Sequence, residues 1–408
     1  MTAGPVQPGW PTPGAPAAGA SVDRALADGV PADGAPVDRT PADSVPGPGV
    51  AERDGVFCIT GVYGGDPADG QAAGPAEQFA TAFDGLRQAL EQAGLGPDEV
   101  GRVTVVTPDP GFRPLINPPW LDTFPGGNRP ARRTTHAPLP GGLVVELEAT
   151  GVRGHKRQPV EIDGVRHKDP LPMGALVGRH LFSSAIVPDA PDGSHPDGID
   201  AIHQAFANLT SLVTAAGGSL DDVANLWVYL GRWDLHDDMV DTWVDTFPDA
   251  HSRPTRKTFY YPRTAIQLQC EAVLGAGSRA NVEIEGLHHR DPIPMGAVTG
   301  GMFTTSGVDG RDPAAGRVPR GVRAQAGQAL DNLTTLLGTA GARPADLLQV
   351  TALVGQLRYT GEFLDAWRAA PPYAAAAPAL TVLELGLPAR DFLVQVIGKG
   401  ITGPGAGQ

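Results

Sequence analysis

Two short stretches repeat a histidine and an aspartate at the same spacing. HKDPLPMG places His167 two residues before Asp169, and HRDPIPMG places His289 two residues before Asp291. Histidine can act as an acid or a base near neutral pH. Because the prolines restrict the backbone, each stretch is predicted to be a rigid arm and not a strand. The pattern also fits a turn in which the aspartate accepts hydrogen bonds from backbone N–H groups.

A second pattern concentrates positive charge near the predicted start of a strand. RPARRT contains Arg132, and RPTRKT contains Arg256. A guanidinium offers a planar, bidentate match to a carboxylate. An arginine at this position is also typical of a solvated edge residue or an ion-pair partner. The neighbouring cations fit the description of solvated charges: Arg129, Arg133, Arg253 and Lys257.

Other polar side chains recur at defined positions. Glu146 alternates with apolar residues in VVELEA, which places it on the same strand face as Glu148. Tyr260 follows the second cationic stretch, where it is suited to stack on a planar substrate or to serve as an ordinary strand aromatic. Asn208 and Asn332 occupy matching positions of a predicted long helix. Neither arm contains a second His or Cys at a ligand spacing, so no metal site is predicted.

These residues lie within three tandem units. The units span residues 51–153, 154–276 and 277–402, and each reads strand, strand, helix, strand, helix or loop, strand, strand. The first unit lacks the arm and has a second helix broken by proline, PGFRPLINPPW. Units of this size are small domains, since solenoid repeats have periods of ~20 to 50 residues. Three similar sheets, each with an apolar face, can cover one another around a pseudo-threefold axis.

The composition narrows the class of protein. Residues 1–50 are mostly Pro, Gly, Ala and Asp, so this tail is expected to be disordered. Neither a signal sequence nor a membrane span is expected, and two isolated cysteines among 408 residues favour a reduced, cytoplasmic protein. A net charge of −14 disfavours nucleic acid as a partner.

The order of these elements resembles the Rid/YjgF family of reactive intermediate deaminases. The resemblance rests on the FTTSG strand, the ALDNLTTLLGTAGA helix, the apolar strand after it, the P-x-R sequence and the final VELEA strand. It implies an α+β fold like that of chorismate mutase, assembled as a trimer with sheets inside, helices outside and clefts between neighbours. The chain is therefore expected to form a covalent pseudo-trimer, either monomeric or within a higher homo-oligomer.

The resemblance also implies a chemistry that needs no cofactor. In the family, an arginine on the penultimate strand holds the carboxylate of an imine or enamine, and a glutamate on the last strand helps to position water. The arginine corresponds to Arg132 and Arg256, whereas the third unit has Leu380. The family arm lies at the edge of the cleft, which would bring the repeated histidines close to a substrate.

The glutamate is expected only in the first unit. It corresponds to Glu146, and the alignment assigns Gln269 and Gln395 to the same position in the second and third units. Glutamine keeps hydrogen bonding but loses the charge and the base. Three equivalent deaminase sites are therefore not expected.

Three functions fit this sequence. The first is hydrolysis of an imine or enamine of a small carboxylic acid, and the second is a diverged, chorismatase-like or other biosynthetic reaction on the same scaffold. The third is noncatalytic binding of a small ligand. Predicted catalytic residues are Glu146, His167, His289, Asp169 and Asp291. Predicted substrate-binding residues are Arg132, Arg256, Asn208, Asn332, Gln269 and Tyr260.

Overall fold

The computed structural model describes residues 46–66, 73–385, 387 and 391–402. The predicted disordered tail, residues 1–50, lies outside the described residues except for its last five. Gly49 and Val50, which were assigned to that tail, belong instead to the first strand. No described helix is both long and apolar enough to cross a bilayer.

Module 1 is a five-stranded mixed sheet with two helices. Its elements are β1 (Gly49–Arg53), β2 (Val56–Tyr63), α1 (Pro75–Gln92), β3 (Val100–Thr107), α2 (Arg113–Thr123), β4 (Ala131–His136) and β5 (Glu146–Val152). The strand order is β1-β2-β5-β3-β4. Only β3 and β4 are parallel, and α2 provides the crossover between them.

Module 2 repeats this arrangement after the first arm. Its elements are β6 (Gln158–Val160), β7 (Gly174–Val177), β8 (His180–Ser183), α3 (Gly198–Ala215), β9 (Val223–Leu230), α4 (His236–Thr246), β10 (Thr255–Tyr260) and β11 (Ile266–Val273). The strand order is β10-β9-β11-β8-β7-β6. Residues 161–173, which include the arm, contain no strand longer than a single bridge.

Module 3 follows the second arm. Its elements are β12 (Arg279–Val282), β13 (Gly296–Thr299), β14 (Met302–Thr305), β15 (Val308–Asp309), α5 (Val322–Thr339), β16 (Leu347–Val354), α6 (Thr360–Ala369), α7 (Pro371–Ala376), β17 (Ala379–Glu384) and β18 (Val394–Ile401). The strand order is β12-β13-β14-β18-β16-β17, and β15 also pairs with β18.

The predicted proline break in the second helix of module 1 is wrong. Helix α2 runs from Arg113 to Thr123 with Pro118 and Pro119 inside it. Each proline removes one backbone donor. Ile116 and Trp120 are fully buried against the module core, and this packing holds the helix together despite the missing hydrogen bonds.

The three sheets face one another and the long helices cover their outer sides. Each long helix buries one apolar face against its own sheet, as α3 does with Ile202, Leu209 and Val213. Small apolar clusters join adjacent modules, such as the cluster that brings Ala131 of β4 against Ala175 of β7. The expected pseudo-trimer with internal sheets is therefore confirmed.

Polar side chains from all three sheets line a cavity of about 50 Å³ where the sheets meet. We call it the axial cavity. Its lining includes Arg102, Glu148, Gln269, Glu271, Thr351 and Lys399. Buried polar groups of this kind require partners, because an unpaired one costs roughly 1–3 kcal/mol.

One carboxylate beside this cavity joins the three modules. Glu271 of β11 accepts a hydrogen bond from Nη2 of Arg102 in β3 and lies 3.4 Å from the ammonium nitrogen of Lys399 in β18. All three side chains are nearly buried. Lys399 and Arg102 outweigh the burial that would raise the pKa of Glu271 and lower it from 4.5 to about 2. The carboxylate is therefore charged at neutral pH and forms an ion triad with one member in each module.

We expect Glu271→Gln to lower the free energy of unfolding by about 3 kcal/mol at pH 7, because two buried cations lose their shared counterion. The folded-state pKa of Glu271 is depressed, so its stabilisation is complete above pH 4.5 and is lost as the pH falls toward about 2. Urea denaturation across this pH range measures both effects.

Glu161→Gln is the matched control, since Glu161 pairs with Arg166 at an exposed position. Its loss should remain below about 1 kcal/mol. Equal losses in the two variants would show that the triad does not hold the modules together.

Candidate active sites between the modules

The first cleft, between modules 1 and 2, is built around the buried side chain of Arg132. Its Nη2 donates to Oδ2 of Asp169 at 2.9 Å, and its Nη1 donates to Oδ1 of Asn117 at 3.0 Å. The guanidinium carbon lies 5.0 Å from the centre of the Trp120 ring. Arg113 also donates to Asp169, at 2.8 Å. The carboxylate of the module 2 arm thus occupies the position in which this arginine would hold an anion.

Serine and tryptophan fix the arm against module 1. The Ser184 hydroxyl accepts from the backbone N–H of Arg132 at 3.0 Å and donates to the carbonyl oxygen of Pro172 at 2.7 Å. Trp120 donates its indole N–H to the carbonyl oxygen of Pro170 at 3.1 Å. Both arm contacts go to prolyl carbonyl groups, which the rigid backbone keeps in place.

The second cleft, between modules 2 and 3, repeats the arrangement around Arg256. Its Nη2 donates to Asp291, and its guanidinium carbon lies 4.9 Å from the centre of the Trp243 ring. The Ser306 hydroxyl accepts from the backbone N–H of Arg256 at 3.1 Å. Asp291 is also 3.2 Å from Nε2 of His236 at the start of α4. Each arm therefore completes a site whose arginine belongs to the preceding module.

The second cleft leaves more hydrogen-bond donors free than the first. Among the described residues, Nε and Nη1 of Arg256 have no hydrogen-bond partner, although the side chain is almost fully buried. No counterpart of the Asn117 contact is present for Arg256 in the described part of the chain. His236 takes the place of Arg113, so one permanent positive charge is replaced by a titratable group.

Both arm histidines lie at these clefts. His167 and His289 have no partner for Nε2 among the described residues. Burial lowers the pKa of each to about 4, with smaller contributions from the Arg132 charge for His167 and the Lys257 charge for His289. Both rings are therefore neutral at pH 7, and a neutral ring can accept a proton.

The expectation that the neighbouring cations are solvated is wrong for Arg133, Arg253 and Lys257, which are buried. The pseudo-trimer covers both faces of the penultimate strands, so consecutive side chains point into protein on either side. The amine of Lys257 donates to Oε1 of Gln395 in module 3, and burial lowers the pKa of Lys257 to about 8. Lys257 is thus a buried basic group on the face of β10 opposite Arg256, between modules 2 and 3, where its charge acts on His289.

The predicted pairing of Arg132 with Glu146 does not occur. Arg132 is opposite Val103 of β3, and Glu146 is opposite Val106. The two valines are three positions apart on β3, and side chains an odd number of positions apart point to opposite faces of a sheet. Arg132 and Glu146 therefore lie on opposite faces of the module 1 sheet. Burial, followed by the nearby Glu148, raises the pKa of Glu146 well above its usual range.

Glu146 belongs to the side of module 1 that faces module 3. Thr381, the residue after Leu380, donates to Glu148 on the same strand face as Glu146. This third cleft therefore has the glutamate without the arginine. The first and second clefts have the arginine, but the last strands that face them carry Gln267 and Gln395, which accept from Arg133 and Lys257. Within the described residues, none of the three clefts combines both members of the pair.

The prediction for Gln269 has the wrong register. Glu146 pairs across the sheet with Val106, and the equivalent pair in module 2 is Gln267 with Tyr229. Gln269 lies two residues further along β11, opposite Trp227, and lines the axial cavity. Matching the EA ending of QLQCEA with that of VELEA had displaced the alignment by two residues.

The two helix asparagines have structural contacts instead of facing a cleft. The Asn208 amide nitrogen donates to the carbonyl oxygens of Val187 and Asp189, and its oxygen accepts from Gln204. Asn332 makes the equivalent contacts with the carbonyl oxygens of Asp309 and Arg311, and its oxygen accepts from Gln328. With these contacts, both amides tie loops to helices and are not available to a ligand.

Tyr260 is also misassigned. Its side chain is 44% exposed, because strand alternation turns Phe259 inward and Tyr260 outward. Sequence reasoning missed Asn117, Ser184, Ser306, His236 and Lys257. Asn117 stands three residues before a tryptophan that the modules share. Ser184 and Ser306 directly follow the equivalent strands β8 and β14, so an alignment of modules contained a signal for these three residues.

The chain is similar in sequence to two deaminases and in structure to a chorismatase. The 2-iminobutanoate/2-iminopropanoate deaminase of Rattus norvegicus is 34% identical over 104 residues, which are 25% of this chain and 75% of that protein. The deaminase of the same name from Escherichia coli K12 is 29% identical over 106 residues, 26% of this chain and 83% of that protein. A crystal structure of chorismatase superposes with a TM-score of 0.50 at 18% identity, covering 75% of this chain and 94% of that one. No family model matches the chain.

We expect Asp291→Asn to lower the pKa of His236. The hydrogen bond to Asp291 raises the pKa of His236 above 6.5 despite partial burial. Because this folded-state pKa is raised, the stabilisation is complete below pH 6.5 and is lost as the pH rises through the folded value. Titration of the histidine ring signals by NMR measures the change.

Asp237→Asn provides the comparison for this titration, since Asp237 also contacts His236 at 3.4 Å but is exposed. It should change the pKa of His236 less than Asp291→Asn does. A larger effect of Asp237→Asn would show that Asp291 does not hold the His236 charge.

Proposed function

The chain belongs to the Rid/YjgF family, and from this premise we propose that it is an enzyme that hydrolyses a small imine or enamine bearing a carboxylate. We place the reaction in the second cleft, between modules 2 and 3. The expected products are a 2-oxo acid and ammonia. The names of the rat and Escherichia coli relatives support this class of reaction.

The observation that carries the proposal is the set of buried, unpartnered groups around Arg256. Nε and Nη1 of Arg256 and Nε2 of His289 lack partners among the described residues. Each such group costs roughly 1–3 kcal/mol when it stays unsatisfied. A substrate carboxylate that accepts from the free Nη1 of Arg256 would recover part of this energy, and its charge would suit a cation whose only carboxylate partner among the described residues is Asp291.

The groups of this cleft can complete the hydrolysis without an added cofactor. Neutral His289 accepts a proton from the attacking water, while protonated Lys257 donates one to the imine nitrogen as the C–O bond forms. In the second step, Lys257 takes back the hydroxyl proton and His289 returns its proton to the departing amine. Ammonia leaves and the carbonyl forms, so water is consumed and both residues are regenerated. His289 and Lys257 together take the part of the family glutamate.

We expect Arg256→Gln to reduce kcat/KM by about 100-fold or more, which is the effect of losing a charged substrate clamp worth about 3 kcal/mol. The measurement follows the decay of 2-aminoacrylate generated in situ by a serine dehydratase. Arg132→Gln is the matched control, because Asp169 and Asn117 already occupy Arg132. It should retain most of the activity. If Arg132→Gln were the inactive variant, the reaction would belong to the first cleft.

We expect the pH profile of kcat/KM to be a bell. His289 must be neutral, so activity should rise with pH as the ring loses its proton near about 4. Lys257 must be protonated, so activity should fall as the pH passes about 8. Lys257→Met should remove the alkaline limb together with most of the activity. An unchanged alkaline limb in that variant would rule out Lys257 as the acid.

The separation of arginine from glutamate favours a second candidate, a diverged reaction on the same scaffold. None of the clefts in the described part of the chain has the arginine and glutamate pair, and the clefts that keep arginine have the His-Asp arm. Chorismatase, the protein of the superposed structure, provides a named example to test. Consumption of chorismate by the wild-type chain, without any acceleration of 2-aminoacrylate decay, would support this candidate over the imine hydrolase.

A further inference from the structure

Arg133 is a buried cation without a counterion. Its side chain is only 1% exposed, and its one hydrogen bond is from Nη1 to Oε1 of Gln267 at 2.6 Å. Nε and Nη2 have no partner among the described residues. These two nitrogens form the side edge of the guanidinium, which matches a carboxylate through two parallel hydrogen bonds.

The other buried arginines of the described residues are better satisfied. Four of them form ion pairs with carboxylates: Arg102, Arg132, Arg157 and Arg256. The remaining two each donate to at least three backbone carbonyl oxygens: Arg253 and Arg279. A buried charge normally requires a partner of this kind, because its desolvation is costly. Arg133 differs from these six arginines, because its only acceptor among the described residues is the neutral side chain of Gln267.

Aromatic side chains surround this free edge. The guanidinium carbon of Arg133 lies 3.7 Å from the centre of the Tyr229 ring, and the Tyr229 hydroxyl is buried without a partner among the described residues. The half-buried rings of Tyr261 and His136 are parallel, with centres 6.0 Å apart. His136 and Arg133 belong to module 1, whereas both tyrosines belong to module 2, so the site exists only where the modules meet.

We propose that Arg133 and these rings form a binding site for a planar carboxylate, such as an aromatic or conjugated acid. The carboxylate accepts from Nε and Nη2 of Arg133, and the Tyr229 hydroxyl donates to it. The planar body packs beside the His136 and Tyr261 rings, which favour stacked or edge contacts with another π system. This site lies on the sheet face opposite Arg132 and does not depend on the reaction proposed for the second cleft.

Benzoate is the probe, with benzamide as its neutral counterpart and sodium chloride at equal ionic strength as the salt control. We expect benzoate, but not benzamide, to raise the thermal midpoint of the full chain, as any ligand of the folded state does. Arg133→Gln should weaken benzoate binding by about 10- to 100-fold, the range for loss of charge-assisted hydrogen bonds. Because Arg256 is itself proposed to hold a carboxylate, the comparison is made in the Arg256→Gln background, where benzoate should still bind and Arg133→Gln should still weaken its binding.

Gln267→Glu tests the same site without removing the arginine. The new carboxylate would supply the missing counterion, so we expect this variant to be more stable than the wild type and to bind benzoate more weakly. The proposal is overturned if benzoate fails to bind, if benzamide binds equally, or if Arg256→Gln rather than Arg133→Gln abolishes binding. It is also overturned if Gln267→Glu changes neither stability nor affinity.

Discussion

The arrangement of the three modules depends on one shared carboxylate. Glu271 of module 2 satisfies Arg102 of module 1 and Lys399 of module 3 at the axis, in surroundings where none of these charges can be solvated by bulk water. Because a buried charge without its partner is far more costly than an exposed one, the three sheets are stable together only in the position that completes the triad. Because the clefts lie between the sheets, the position of the sheets also determines the shape of the clefts.

Each cleft combines residues of two different modules, and this explains how the three clefts came to differ. Arg132 and Arg256 are contacted by the arms that follow them in the chain, whereas Leu380 has no charge with which to form such a contact. The first cleft closes its arginine with Asp169, Asn117 and Arg113. The second replaces two of these with His236 and unpartnered N–H groups. The first cleft therefore supplies its arginine with two side-chain acceptors, whereas the second leaves two nitrogens of its arginine without a partner among the described residues.

Much of the fold could be predicted from the sequence, because repeats, strand alternation and helix periodicity are local patterns that survive in each module. The proximity of His289 and Asp291 to the arginine strand followed from the family resemblance, which implies an arm at the edge of the cleft. The register of Gln269 did not follow, since Gln267 and Gln269 lie two residues apart on the same face of β11, and only the pairing with β9 distinguishes them. The burial of Arg133 and Lys257 was also hidden, because it results from a neighbouring module that covers the second face of the strand.

Because the three modules are joined in one chain, each interface between them can change independently during evolution. In an assembly of identical chains, a substitution in the penultimate strand appears at every interface at once, so the loss of its arginine would silence all sites together. Here each interface is encoded once in the gene. Leu380 could therefore be accepted in one cleft while Arg256 was retained in another, and a single chain can test a new reaction without giving up the old one.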